Sequence, residues 1–80
     1  MDMRETTYSL ITAMAPSPAP RLTDDMRLAA DLGYDSLRML ELMIALEARL
    51  GLPAVELERA ATASTVGAVV QLVTELRPGS

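Results

Sequence analysis

The chain has 80 residues with a formal net charge of -4, and it contains neither histidine nor cysteine. These counts exclude a disulfide framework, a cysteine nucleophile, a histidine base and the ordinary kinds of zinc site. The acidic balance argues against binding to nucleic-acid phosphates. A chain of this length is expected to form one small domain, residues 1–80, without a deep active-site cleft, so we expect a protein that is not an enzyme.

Neither membrane insertion nor secretion is indicated. The apolar run at residues 42–46 is far shorter than the roughly 20 residues of a membrane-spanning helix. The first residues lack the basic segment followed by an apolar one that is typical of a signal peptide. We therefore expect a cytoplasmic protein, monomeric, with no membrane or nucleic-acid partner.

The first element in chain order is a helix predicted over residues 3–15. Its apolar side recurs at helical spacing through Met3, Thr7, Leu10, Ile11 and Met14. Three prolines within residues 16–20 end it, because proline lacks a backbone N–H and disfavours helical angles in the residue before it. The connector at 21–34 has apolar anchors, so we expect it to be ordered, with a single helical turn near residues 24–30.

A central helix is predicted over residues 36–50. Asp35 and Ser36 are both residue types that cap helix N-termini, and Gly51 provides a stop. At 100° per residue, one side forms a continuous core stripe of Met39, Leu42, Met43, Leu46 and Leu50. Three further apolar residues form a second stripe beside Ser36, here called the outer stripe: Leu37, Leu40 and Ile44.

Two more helices follow Gly51. Residues 54–60 can supply a short one, and Ser64 or Thr65 can cap a last helix that runs to Leu76 with valines at helical spacing. The prediction is an all-α fold without a sheet. It is a small four-helix bundle made of three main helices and one short helix.

The acidic residues around residues 24–35 do not form a calcium loop. Counted from Asp31, the sixth position of an EF-hand loop would need glycine and the twelfth glutamate, but this chain has Ser36 and Leu42 there. We therefore predict no metal site, and we interpret these carboxylates as solvated charges and helix caps.

Ser36 is the candidate functional residue. A serine hydroxyl at the start of a helix lies near unpaired backbone N–H groups and the positive end of the helix dipole, which favour an anion such as a phosphodiester. The segment from Leu32 to Leu37, Leu-Gly-Tyr-Asp-Ser-Leu, and the helix behind it resemble the modification site of acyl carrier proteins. The resemblance extends over nearly the whole chain, although only this hexapeptide is specific.

The resemblance implies a carrier-protein bundle with 4'-phosphopantetheine, derived from coenzyme A, attached to Ser36, and with Asp35 as the flanking residue of the motif. It implies a carrier that holds acyl or polyketide intermediates as thioesters. The expected partners are a phosphopantetheinyl transferase, an acyl- or aminoacyl-loading enzyme, a ketosynthase or other condensing partner, and tailoring enzymes.

The outer stripe shares a side of the helix with Ser36 and is flanked by two carboxylates. Apolar area gives affinity and charge gives orientation, so we predict a partner-docking surface made of Leu37, Leu40, Glu41, Ile44 and Glu47. The alternative is that the stripe packs beneath the connector and the short helix. On the helical wheel, Arg38 and Arg49 lie on the side away from these carboxylates.

The hexapeptide looks most like the discrete carriers of polyketide synthases, with a role in natural-product biosynthesis. An aminoacyl or peptidyl carrier of nonribosomal peptide synthesis is the first alternative. A third hypothesis is an unmodified helical adaptor that uses its exposed apolar stripe only to bind partner proteins. The six methionines also permit a core that opens to admit an acyl chain, or one in which methionine is only a filler.

Overall fold

The fold is all-α in the part of the chain that the computed structural model describes, residues 2–17, 19–55 and 57–77, where no strand is formed. Five helices lie there, three of them long: α1 (Met3–Met14), α2 (Leu28–Leu32), α3 (Ser36–Leu50), α4 (Leu57–Ala61) and α5 (Val66–Leu76). The predicted fold class is confirmed.

Each long helix begins at a side-chain cap. The capping oxygen accepts a backbone N–H from the first turn and so satisfies a donor that has no partner within the helix. The bonds run from Arg4 N to Asp2 Oδ1 (2.9 Å), from Arg38 N to Asp35 Oδ1 (2.8 Å) and from Ala68 N to Thr65 Oγ1 (3.1 Å). The predicted start of the central helix at Ser36 is confirmed, and of the two residues that could cap the last helix, Thr65 does so.

The connector contains a complete short helix, α2, where the sequence predicted a single turn near residues 24–30. The bundle described here thus has two short helices, whereas one was predicted. An isolated antiparallel bridge between Arg27 and Thr65 fixes the residues before α2 against the start of α5. Gly33 then ends α2 in the left-handed conformation (φ 78°).

The second short helix, α4, begins at Leu57, later than the predicted residue 54. The residues after Gly51 are held in a non-helical path because the backbone N–H of Val55 donates to the Glu47 carboxylate at 3.0 Å. Glu56 lies outside the described residues.

The core is formed mainly by α1, α3 and α5. In α3, three residues of the predicted core stripe are buried, Leu42, Met43 and Leu46, while Met39 and Leu50 are partly buried against the same cluster. Four apolar residues of α5 complete the centre, Val66, Val69, Leu72 and Val73. None of the described helices is long and apolar enough to cross a membrane.

Candidate functional site at the start of helix α3

Ser36 is the first residue of α3 and is exposed to solvent. Asp35 precedes it in extended conformation (φ -112°, ψ -177°) and caps the helix. The first turn of α3 contains no acidic residue, so no carboxylate within that turn opposes an anion attached to the serine. The hydroxyl is therefore accessible to an enzyme, and the helix dipole favours a phosphodiester there.

Tyr34 fixes the turn that presents the serine. Its side chain is 4% exposed, its hydroxyl donates to the carbonyl oxygen of Ile11 at 2.7 Å, and its backbone N–H donates to Leu28 at 2.9 Å. Burial raises the pKa of Tyr34 to about 12, and the positive charge of Arg38 offsets part of that increase. The buried, neutral side chain of Tyr34 thus ties the turn before Ser36 to α1.

The turn is also held from its other side by the segment after α1. The backbone N–H of Ser17 donates to the carbonyl oxygen of Leu32 at 3.0 Å. Gly33 lies close to the same segment, because a Cβ atom on it would come within 3.2 Å of Ser17 Oγ. Both the left-handed φ and this close approach favour glycine next to the turn.

A cavity of about 620 Å³ adjoins Ser36 between α2, α3 and α4. Its walls are mostly apolar and include Leu28, Met39 and Ala61. Tyr34 also lines it, so the residue that fixes the turn also forms part of the cavity. A flexible chain attached to Ser36 would start at the edge of this space.

The outer stripe of α3 is open to solvent. Leu37 is 66% exposed, Ile44 56% and Leu40 39%. The described part of the chain does not bury these three side chains, so the alternative that they pack beneath the connector and the short helix is wrong. An apolar patch beside an exposed serine is suited to contact with another protein.

The charged residues around the outer stripe do not all lie as predicted. Arg38 was expected on the side away from Glu41, but its guanidinium is 3.3 Å from the Glu41 carboxylate. The two residues are three apart along α3, which brings long side chains together across the helix surface. Glu41 remains exposed, with 47% of its side chain accessible.

Glu47 has a structural contact that the sequence did not indicate. Its side chain is half-buried, and its carboxylate accepts the backbone N–H of Val55. The sequence placed Glu47 only at the flank of the outer stripe, and in the structure it also holds the segment that follows Gly51. The bond joins residues eight apart, across the turn that follows Gly51, and helical spacing alone does not predict it.

Comparison with known proteins agrees with this geometry. The model of the family described as the phosphopantetheine attachment site matches residues 9–73. The chain belongs to this phosphopantetheine-binding family. Its prosthetic group is 4'-phosphopantetheine, and the chain is a non-catalytic carrier. Carrier proteins of this kind interact with modifying and biosynthetic enzymes.

Solved structures support the same assignment for this carrier. Among 14 chains that match significantly is one from Mycobacterium tuberculosis described as an acyl carrier protein (Rv0033). It is 28% identical, the match covers 92% of this chain and 97% of that one, and the TM-score is 0.80. Among the curated proteins compared with the carrier, none matches significantly.

Several residues of this site were not found from the sequence. Glu58, Ala63 and Ser64 line the cavity beside Ser36, although they lie more than 20 residues further along the chain. Their position depends on how α4 packs against α3, and no motif marks them. Tyr34 belonged to the recognised hexapeptide, but its bond to Ile11 depends on the approach of α1.

Proposed function

We propose that Ser36 carries the 4'-phosphopantetheine arm and that the chain holds acyl or polyketide intermediates on its thiol as thioesters. The observation that carries this proposal is the exposed hydroxyl at the N-terminus of α3, beside a cavity and an exposed apolar stripe. Asp35 contributes by capping the helix and so fixing the backbone next to the serine.

Modification of Ser36 forms a phosphodiester. The serine oxygen bonds to the phosphorus next to the pantetheine of coenzyme A, and the bond from that phosphorus to the bridging oxygen of the pyrophosphate breaks. Adenosine 3',5'-bisphosphate leaves with the electron pair of the broken bond, and a base of the transferase takes the hydroxyl proton. Tyr34 holds the turn in place, and the unpaired N–H groups of the first turn of α3 stabilise the resulting negative charge.

The cargo we favour is an acyl or polyketide chain, on the basis of the hexapeptide Leu-Gly-Tyr-Asp-Ser-Leu. An aminoacyl or peptidyl carrier is the alternative, since both kinds of carrier share the fold and the arm. Family membership argues against an unmodified adaptor, because proteins of this family carry a prosthetic group. The cytoplasmic location and monomeric state expected from the sequence remain predictions.

We assign partner docking to the outer stripe, with Glu41 as its charged flank. The partners proposed are a phosphopantetheinyl transferase, an acyl- or aminoacyl-loading enzyme, a ketosynthase or other condensing partner, and tailoring enzymes. Desolvation of Leu37, Leu40 and Ile44 supplies affinity, while Glu41 orients a cationic enzyme surface towards the serine. Glu47 contributes negative charge near this surface but is engaged by Val55.

The test is incubation with coenzyme A and a phosphopantetheinyl transferase, followed by intact-protein and tandem mass spectrometry. We expect one arm per chain, located on Ser36, and no gain in mass for Ser36→Ala. Ser64→Ala is the matched control, because Ser64 lines the same cavity but does not begin a helix. The assignment fails if the Ser36→Ala protein gains the mass of the arm.

A further inference from the structure

Arg38 is the first charged residue of α3, two positions after Ser36. Its backbone N–H donates to the capping carboxylate of Asp35 at 2.8 Å. Its positive charge offsets part of the increase that burial causes in the pKa of Tyr34, so this charge reaches the turn that presents the serine. An enzyme that covers the hydroxyl of Ser36 therefore also comes close to Arg38.

The guanidinium of Arg38 is only partly engaged. In the described part of the chain its one ion pair is with Glu41, where a single nitrogen lies 3.3 Å from a single carboxylate oxygen. The Arg38 side chain is 42% exposed, and that of Glu41 is 47% exposed. A guanidinium has several N–H donors in a planar fork and can bind a carboxylate through a pair of them. Arg38 can therefore bind a second carboxylate, from another protein, while Glu41 stays beside it.

The charges next to the serine do not favour a uniformly cationic partner. The formal charges on α3 cancel, because the helix contains two arginines and two glutamates: Arg38, Arg49, Glu41 and Glu47. The N–H groups of its first turn add partial positive charge, and the capping carboxylate of Asp35 accepts one of them. On α2, Asp31 lies 3.7 Å from the guanidinium of Arg27. Both signs of charge thus surround the serine, and Arg38 repels a partner that carries only positive charge.

The phosphopantetheinyl transferase is the partner that must approach Arg38. Its reaction takes place at the Ser36 oxygen, so its surface has to cover the first turn of α3, where Leu37 is 66% exposed. Enzymes that act on the cargo reach the far end of a flexible arm and can bind at a distance from that turn. The charge of Arg38 therefore places its strictest requirement on the transferase.

We propose that Arg38 is a specificity-determining residue for the modification of Ser36, and that it binds a carboxylate of the transferase beside the cationic group that Glu41 attracts. The transferase surface that fits this chain then carries both signs of charge around an apolar contact for Leu37. A transferase with a uniformly cationic docking surface is a poor partner. The inference rests on the proposed function, since it takes Ser36 as the attachment residue.

The test is steady-state kinetics of arm attachment by the transferase of the source organism, with the unmodified chain as the varied substrate and coenzyme A at saturation. We expect Arg38→Glu to raise KM about tenfold and Arg38→Gln to raise it less, because only the first change replaces attraction by repulsion. Arg38→Lys keeps the charge and should stay within about threefold of the unsubstituted chain. The changes in kcat should be smaller, and the differences in KM should shrink as salt screens the charges.

Arg49→Glu is the matched control for Arg38→Glu. It makes the same change of charge on the same helix, at an exposed position in the last turn. The two positions are roughly 16 Å apart along the axis, about two Debye lengths at physiological salt, so we expect little change in KM. Thermal unfolding checks both variants. Arg38→Glu should remain folded, because the helix dipole favours an acidic residue in the first turn.

A lower KM for Arg38→Gln and Arg38→Glu would show that the transferase surface is uniformly cationic and would overturn the inference. An unchanged KM in both variants, whatever the change in kcat, would overturn it as well. So would an equal rise in KM for Arg49→Glu and Arg38→Glu, since the net charge of the chain would then be the cause. If the unsubstituted chain gains no arm on Ser36, the proposed function fails instead.

Discussion

The hydroxyl of Tyr34 donates a hydrogen bond of 2.7 Å to the carbonyl oxygen of Ile11 in the last turn of α1. This contact joins the end of the first helix to the turn that presents Ser36. It also satisfies the only polar group of a ring that is otherwise buried in the core. The presentation of the serine is therefore coupled to the packing of α1.

We expect Tyr34→Phe to lower the free energy of unfolding by about 1 kcal/mol, because the ring is kept and one buried hydrogen bond is lost. Urea denaturation followed by circular dichroism measures this change. Modification of Ser36 should slow at the same time if the bond orients the turn. An unchanged urea midpoint would show that the bond to Ile11 does not stabilise the fold.

The raised pKa of Tyr34 predicts a loss of stability at alkaline pH. Below pH 10 the phenol is protonated in both states, whereas between about pH 10 and 12 the unfolded chain releases the proton and the folded chain retains it. The free energy of unfolding should therefore fall over this range, by about 1 to 2 kcal/mol after allowance for solvent screening.

Tyr34→Phe provides the control for this pH dependence, because it removes the titrating group. Tyr8, whose pKa is raised by its hydrogen bond to Asp24, remains in this variant. It accounts for the dependence of the unfolding free energy on pH that is left. Denaturation curves from about pH 9, below the ordinary tyrosine pKa, to about pH 12, the pKa of Tyr34, test this. If the free energy of unfolding falls with the same slope in both proteins, burial of Tyr34 is not the cause.

Glu47 and Glu41 should differ in their effect on stability. Glu47→Gln weakens the bond to the Val55 N–H, and Glu47→Lys removes it, so we expect the lysine variant to lose about 1 to 2 kcal/mol. Glu41→Lys breaks only an exposed pair with Arg38 and should cost roughly 0 to 1 kcal/mol. Thermal unfolding of the variants tests this order. The reverse order would mean that Glu47 does not anchor the segment before α4.

Docking should depend on the outer stripe and Glu41. We expect Ile44→Ala, Leu40→Ala and Glu41→Lys to slow arm attachment or acyl transfer several-fold, through lost apolar contact or reversed charge, while the fold remains stable. Arg49→Ala is the control, because Arg49 was placed on the other side of the helical wheel. Normal transfer kinetics in the first three variants, together with slow transfer in Arg49→Ala, would place the docking surface elsewhere.

The sequence by itself determined the three long helices and the candidate serine, because those signals are local. Asp35 and Thr65 are capping residues whose side chains reach backbone groups within one turn, and Gly51 has the conformational freedom that ends a helix. Apolar spacing likewise identified the buried side of α3. The hexapeptide around Ser36 identified the family because it is contiguous in the chain.

Tertiary structure decided the features that depend on contacts between distant residues. Helix α2 begins at Leu28, directly after the bridge that holds Arg27 against Thr65. Helix propensity alone did not predict this helix, because the bridge joins residues far apart in the chain. Glu47 bonds Val55 across a turn, and Tyr34 reaches Ile11 across the core. Glu58 lines the cavity beside Ser36 only when α4 packs beside α3, so this part of the lining follows from the folded chain.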